Sequence, residues 1–137
     1  MTELHRNYIG GEWVAGPSAS PNRNPSNVDD VIGDYSQADA TQAKAAIAAA
    51  KAAAPAWAAG SIQDRSILLD RVGTEILARK DDLGRLLSRE EGKTLPEGVG
   101  EATRAGHIFK FYAGEVLRLA GEKLPSVRPG IDVEVTR

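Results

Sequence analysis

At three places a hydroxyl residue followed, three positions on, by an acid precedes a helical pattern: Ser36 with Asp39, Ser61 with Asp64, and Thr94 with Glu97. That spacing lets the hydroxyl satisfy an orphan N–H of a helix start while the acid sits near the positive end of the helix dipole. The first helix is expected from about Gln37 to Ala54, stopped by Pro55, which disfavours helix at the residue before it. The second starts near Ile62. Its apolar positions Leu68, Leu69, Val72, Ile76 and Leu77 recur at spacings of three and four, one face of a helix. Lys80-Asp81-Asp82 threatens an interruption, after which Leu83, Leu86 and Leu87 resume the stripe and Gly92 ends it. The third runs from about Leu95 to Leu119, with Ile108, Phe109, Tyr112, Val116 and Leu119 on one face. It contains Gly98, Gly100, Gly106 and Gly114. Each interior glycine costs about 1 kcal/mol relative to alanine, so this helix is not expected to stand alone. Its glycines mark close approach of another backbone, the favoured reading, or a ligand channel.

Strands are expected at both ends. Tyr8-Ile9-Gly10-Gly11-Glu12-Trp13-Val14 reads as a hairpin whose Gly-Gly supplies the positive φ of a two-residue primed turn. Residues 15–30, rich in Pro, Ser, Asn and Gly, read as ordered loop, and Val31–Tyr35 as a short strand. Ile131-Asp132-Val133-Glu134-Val135-Thr136-Arg137 alternates apolar and polar, the period of a half-buried strand. No turn or partner follows it, so it is expected to pair in an oligomer or to continue into more chain. The fold class is mainly α with short β elements: an N-terminal hairpin, three helices and a C-terminal edge strand.

Composition narrows function mostly by exclusion. The 137 residues suit one domain, which when compact buries about 68% of its unfolded surface. The hydrophobic share is 42%, but much of it is alanine between Ala43 and Ala59, and aromatics are 5%, so large core side chains are scarce. Net charge is −2 with no dense basic block, which removes the electrostatic footprint of a nucleic-acid binder. No apolar run reaches 18 residues, so nothing reads as a membrane-spanning helix, and Met1 to Asn7 does not read as a signal peptide. A cytoplasmic protein is the expectation. The absence of cysteine excludes disulfides, thiolate metal sites and a cysteine nucleophile. Gly92-Lys93-Thr94 lacks the earlier glycine of a P-loop, its place taken by Leu87; Gly98-Val99-Gly100 has Thr103 where a dinucleotide fingerprint needs its third glycine, and no strand before it. Lys93 reads instead as a cation near a helix C-terminus. His5 and His107 lack partnering ligands, and no nucleophile–base set emerges.

One resemblance runs through the chain. Asn7-Tyr8-Ile9-Gly10-Gly11-Glu12-Trp13, Asn24-Pro25, the Ala-rich helix ending in Pro55-Ala56-Trp57, Arg65 with Leu68-Leu69, Arg89-Glu90-Glu91-Gly92-Lys93, Phe111-Tyr112-Ala113-Gly114-Glu115 and Val133-Glu134-Val135-Thr136-Arg137 follow in the order of the N-terminal part of the aldehyde dehydrogenase superfamily. The stretch from Gly100 to Arg137, with Leu124-Pro125-Ser126-Val127-Arg128-Pro129-Gly130, is most similar to members oxidising 2-oxoglutarate semialdehyde or succinate semialdehyde. The resemblance implies a longer α/β parent with a Rossmann-like cofactor domain, a catalytic domain and an oligomerisation arm, assembled as a homodimer or homotetramer. In such enzymes a cysteine thiolate attacks the aldehyde, hydride passes to NAD or NADP, and a glutamate activates the hydrolytic water. All of these parts are expected after Arg137. Residues 1–126 would be the helical start of the cofactor-binding domain and 127–137 the first strand of the arm, with no cofactor bound by the segment alone. The resemblance also puts Gly100 and Arg104, four residues apart on the third helix, at the substrate entrance. There Arg104 could steer a substrate carboxylate; an ion pair with Glu101 or a neighbouring helix is the ordinary alternative.

Two other readings of the same residues are a standalone helical interaction module, using its edge strand for β-augmentation, and a degenerate remnant that regulates a full-length relative. A natural module is expected to cover its edge strand, and the terminal alternation here does not. Catalytic incompetence of the segment alone follows from the missing cysteine.

Overall fold

The structure, a computed structural model, describes residues 3–136. Five strands come first: β1 (Leu4–His5), β2 (Asn7–Ile9), β3 (Glu12–Val14), β4 (Ser18–Asn24) and β5 (Asn27–Gln37). β2 and β3 form the expected hairpin, with Tyr8 opposite Trp13, their rings 4.8 Å apart, and Gly10 and Gly11 both at positive φ in the turn. Residues 15–30 depart from the expected loop. β4 runs antiparallel along β5 from Ser18 opposite Gln37 to Asn24 opposite Asn27, and β1 adds in parallel on the other side, giving the order β1-β5-β4. β4 is therefore an edge strand, the one place in a sheet where Pro21 is tolerated. Its turn is closed by Ser26 N–H donating to Asn24 Oδ1 at 2.9 Å, the local hydrogen bond for which Asn is favoured in turns. Val31–Tyr35 is the middle of an eleven-residue strand rather than a short one.

Four α-helices follow where three were expected: α1 (Ala40–Ala59), α2 (Ile62–Ala78), α3 (Lys80–Glu91) and α4 (Leu95–Glu115), the last running into a 3-10 turn at Val116–Arg118. The opening of α1 is corrected. Asp39 is the N-cap, accepting from Gln42 N–H at 2.7 Å, while Ser36 lies buried in β5. Pro55 does not stop α1 either. The carbonyl it leaves without a donor is that of Lys51, and residues 51–60 are all exposed, so the break falls on a face open to solvent. Ser61 caps α2 as expected, accepting from Asp64 N–H at 3.0 Å. The interruption of the second stripe falls at Arg79, whose N–H is shared between Glu75 O and Ile76 O. Asp81 and Asp82 then occupy the first turn of a new helix, where its dipole favours them. Gly92 ends α3 at φ 71°. At Thr94 both the N–H and the hydroxyl donate to Glu97 Oε2, at 3.1 and 2.7 Å.

α4 turns back along α3 and then α2, and glycines set how closely it lies. A Cβ at Gly98 would stand 2.4 Å from Gly84 O on α3; one at Gly106 would stand 2.6 Å from Leu77 Cγ on α2. Gly100 and Gly114 face open space. The close-approach reading thus holds for two of the four glycines. Every buried residue among those described is small: five glycines, two alanines and Ser36. Large apolar side chains on α2, α3 and α4, including Ile67, Leu68, Leu86 and Phe111, are exposed. The accessible surface is 10156 Å² for 14.6 kDa, where a compact monomer of that mass shows about 6,900 Å². The chain leaves uncovered about 3,000 Å² more than a self-sufficient domain would.

The end of the chain is a second correction. β7 (Asp132–Val135) does have a partner: it pairs antiparallel with β6 (Glu122–Pro125), from Glu122 opposite Val135 to Pro125 opposite Asp132. It is exposed rather than half-buried, Val133 at 44% and Val135 at 39%, and its other edge is unpaired among the described residues. Arg137 lies outside the described residues.

Candidate functional site

The densest polar assembly is the seam where the β4–β5 ribbon meets the end of α3. Arg89 grips Asp30 with two nitrogens, Nε at 2.9 Å and Nη2 at 2.6 Å, and Asn24 adds a bond to the same carboxylate. Glu90 Oε1 accepts from Asn22 Nδ2 at 3.0 Å and from the Tyr35 hydroxyl at 2.9 Å, while His5 stacks on the Tyr35 ring at 4.6 Å. Ser26 Oγ donates to Gly92 O at 2.8 Å. The Arg89 hydrogen bond, followed by that of Asn24, holds the Asp30 carboxyl below the usual carboxylate range; the same bond raises Arg89. Burial, then the Glu90 hydrogen bond, pushes the Tyr35 phenol up. Asp30, Arg89, Glu90, Tyr35 and Ser26 are each engaged by another group of the chain. The seam joins ribbon to helix and presents no open nucleophile.

Past Gly92 the chain turns the corner into α4, and Lys93 fills that corner. Its side chain is 19% exposed, with Nζ 2.5 Å from Glu91 Oε2 and 2.6 Å from Glu101 Oε1. Hydrogen bonds to Glu101 first and Glu91 second raise its pKa above that of an ordinary lysine. Gly92-Lys93-Thr94 is thus a helix–helix corner, with its one cation taken by two carboxylates. Gly98-Val99-Gly100 lies inside α4.

Gly100 and Arg104 lie on the outer face of α4, both exposed, one turn apart. Nothing stands within 4 Å of where a Gly100 Cβ would be. Glu101, the near acid that could have paired with Arg104, is held by Lys93 instead. Arg104 makes no ion pair among the described residues. The stripe continues outward through His107, Phe111 and Gly114, all exposed. No group of three or more His, Asp or Glu among the described residues converges to hold a metal ion. With no cysteine in the chain, its side chains offer no thiol chemistry, and Arg104 is one of several cations without an ion pair among the described residues.

The seam was missed in the sequence, although a signal was present. Glu90 and Glu91 sit in the last turn of α3, where the helix dipole disfavours acids. Acids kept at that position call for donors from elsewhere, and Asn22, Tyr35 and Lys93 supply them.

This architecture recurs in solved enzymes that oxidise aldehydes. The structure of an NAD-dependent benzaldehyde dehydrogenase from Corynebacterium glutamicum matches with a TM-score of 0.81 and 34% identity, over 92% of this chain and 28% of that one. A succinate-semialdehyde dehydrogenase from Burkholderia pseudomallei matches with a TM-score of 0.83 and 32% identity, over 90% and 26%. The model of the aldehyde dehydrogenase family matches residues 13–137, and the chain belongs to that family. Among its relatives, the alpha-ketoglutarate semialdehyde dehydrogenase of Haloferax volcanii is 34% identical over 97% of this chain and 28% of its own length. The succinate-semialdehyde dehydrogenase [NADP(+)] of Escherichia coli is also 34% identical, over 85% and 24%. The chain spans about a quarter of the length of these relatives.

Proposed function

We propose that this chain is the N-terminal part of a cytoplasmic NAD(P)-dependent dehydrogenase that oxidises a semialdehyde, an aldehyde bearing a distant carboxylate, to the corresponding dicarboxylate. The observation that carries the reading is the outer face of α4. There an exposed Arg104, unpaired among the described residues, stands one turn from the open space at Gly100, in a chain whose relatives include enzymes named for semialdehydes. A planar guanidinium suits a carboxylate, and steering by one free cation selects charged aldehydes over neutral ones.

On this reading residues 1–126 contribute the helical start of the cofactor-binding domain, and 127–137 begin an arm through which a homodimer or homotetramer assembles. The catalytic cysteine, the hydrolytic glutamate and the cofactor site belong to the rest of the polypeptide. The surplus of about 3,000 Å² of exposed surface supports this, because it exceeds one side of an ordinary interface, about 800 Å². Covering it takes a body, such as the remainder of the enzyme.

The test compares the 137-residue chain with the full polypeptide, following NAD(P)H formation from succinate semialdehyde and from butanal. The full polypeptide should turn over both with preference for the semialdehyde, and the chain alone neither. Turnover by the chain alone would overturn the assignment. A monomeric chain that melts cooperatively by itself would favour an independent interaction module.

A further inference from the structure

We propose that Lys93 is a positioning residue for substrate selection: by holding Glu101, it keeps the Arg104 guanidinium unpaired and available to the carboxylate of an incoming semialdehyde. This rests on the role of Arg104 proposed above. Glu101 and Arg104 are three residues apart on one helix, the spacing at which opposite charges pair across a turn. Left to themselves they would neutralise each other on the face where the substrate anion is to be met. Instead Glu101 Oε1 accepts from Lys93 Nζ at 2.6 Å.

Three features hold Lys93 to that task. Its side chain is 19% exposed, so it is not a free surface tether. Its backbone is fixed between Gly92 in the left-handed conformation and Thr94, the N-cap of α4. Glu91 binds the same ammonium from the α3 side. Losing the Lys93 charge would act twice in the same direction. It frees Glu101 to occupy Arg104, and it leaves two uncompensated carboxylates beside the approach of an anionic substrate.

The experiment uses the full-length enzyme and measures kcat/KM for succinate semialdehyde against butanal, the neutral aldehyde of the same carbon number. R104Q should lower the semialdehyde value by about tenfold or more, the size expected for a charged hydrogen bond, with little effect on butanal. K93M should lower it through KM by about two- to threefold, the scale of an exposed helical ion pair, with butanal unchanged. The double variant K93M/E101Q should recover most of the wild-type ratio, with Glu91 alone left uncompensated. K93R, which keeps the charge, should stay at the wild-type ratio, and K93Q takes the place of K93M if that variant does not fold. A lowered R104Q ratio with an unchanged K93M ratio, or with no rescue by E101Q, overturns the role of Lys93 and leaves that of Arg104 standing. An R104Q enzyme with undiminished preference overturns both.

Discussion

Gly98→Ala should weaken the α3–α4 contact, whereas Gly114→Ala should stabilise the same helix. The structure sets the two magnitudes apart. A Cβ at position 98 would lie 2.4 Å from Gly84 O and 2.4 Å from Ser88 Oγ. The serine could rotate only by giving up its bond to Gly84 O at 2.9 Å, and the carbonyl is fixed in the α3 ladder. Relief therefore requires α4 to retreat by about 1 Å, enough to forfeit a quarter to a half of each dispersion contact along the crossing. Overpacking of this kind costs about 1–3 kcal/mol, and with backbone as the obstacle the upper half applies. Alanine returns about 1 kcal/mol of helix propensity, leaving a net loss of about 1–2 kcal/mol. At position 114 nothing lies within 4 Å, so only the gain of up to about 1 kcal/mol remains. Hydrogen exchange of the α4 amides in the 137-residue chain reads the difference without requiring the chain to unfold as one unit. At about tenfold for each 1.4 kcal/mol, these amides should exchange about thirtyfold or more faster in G98A than in G114A. If G98A is as stable as G114A, α4 is not seated on α3 through this glycine.

Two further outcomes are expected. The lowered Asp30 pKa means that its bond to Arg89 contributes stability in full above the unfolded carboxyl value of about 3.9. That contribution is lost as pH falls through the lower folded value. Hydrogen-exchange protection of the β4–β5 ribbon should therefore hold from neutrality down to about pH 4 and fall in stronger acid, and D30N should show the loosened ribbon already at pH 7; a D30N ribbon as protected as wild type would remove the pair from the account. Thr94→Ala takes away the hydroxyl that donates to Glu97 Oε2 and should cost about 1 kcal/mol at the start of α4. Faster exchange of the amides of Leu95, Glu97 and Gly98 would register it, and unchanged exchange would count against the cap.

What was legible in the sequence was what depends on neighbours three and four residues away. The stripes of α2 and α3, the caps at Ser61 and Thr94, the stop at Gly92 and the Gly10-Gly11 turn are local signals, and the structure has them. The α4 stripe differs, for the helix ends at Glu115, Ile108, Tyr112 and Leu119 are exposed, and small residues form its buried face. The failures share a different cause. β4 was hidden because an exposed edge strand needs no apolar alternation and can accommodate Pro21. Ser36 and Asp39 compete for the same role, and the strand that claims Ser36 is set by pairing with β4. Pro55 was misjudged because its cost depends on whether the orphaned carbonyl meets water, which only the fold decides. The candidate site divides the same way. Gly100 and Arg104 were named from the sequence, but the corner that leaves Arg104 unpaired depends on Lys93 reaching Glu101 across the turn between two helices.

The four glycines of α4 now sort by face, and the sorting bears on what the helix is for. Gly98 and Gly106 lie against α3 and α2, where a methyl group would collide, so their conformational cost is offset by packing. A Cβ at Gly100 or Gly114 would meet no atom of a neighbouring element within 4 Å among the described residues, yet each glycine still costs the helix about 1 kcal/mol. They fall at the two ends of a single exposed stripe, Gly100-Arg104-His107-Phe111-Gly114, with steps of four, three, four and three. Phe111, 62% exposed, sits on that stripe with the Tyr112 ring edge-on beside it at 5.3 Å. An outer face that spends helix stability on empty space, and carries an exposed ring and an unpaired cation, is poorly explained as plain solvent surface. It fits a face that another body must approach closely while leaving a passage beside Arg104. On the proposed function, such a face is where substrate selection would reside, with the catalytic groups elsewhere in the polypeptide.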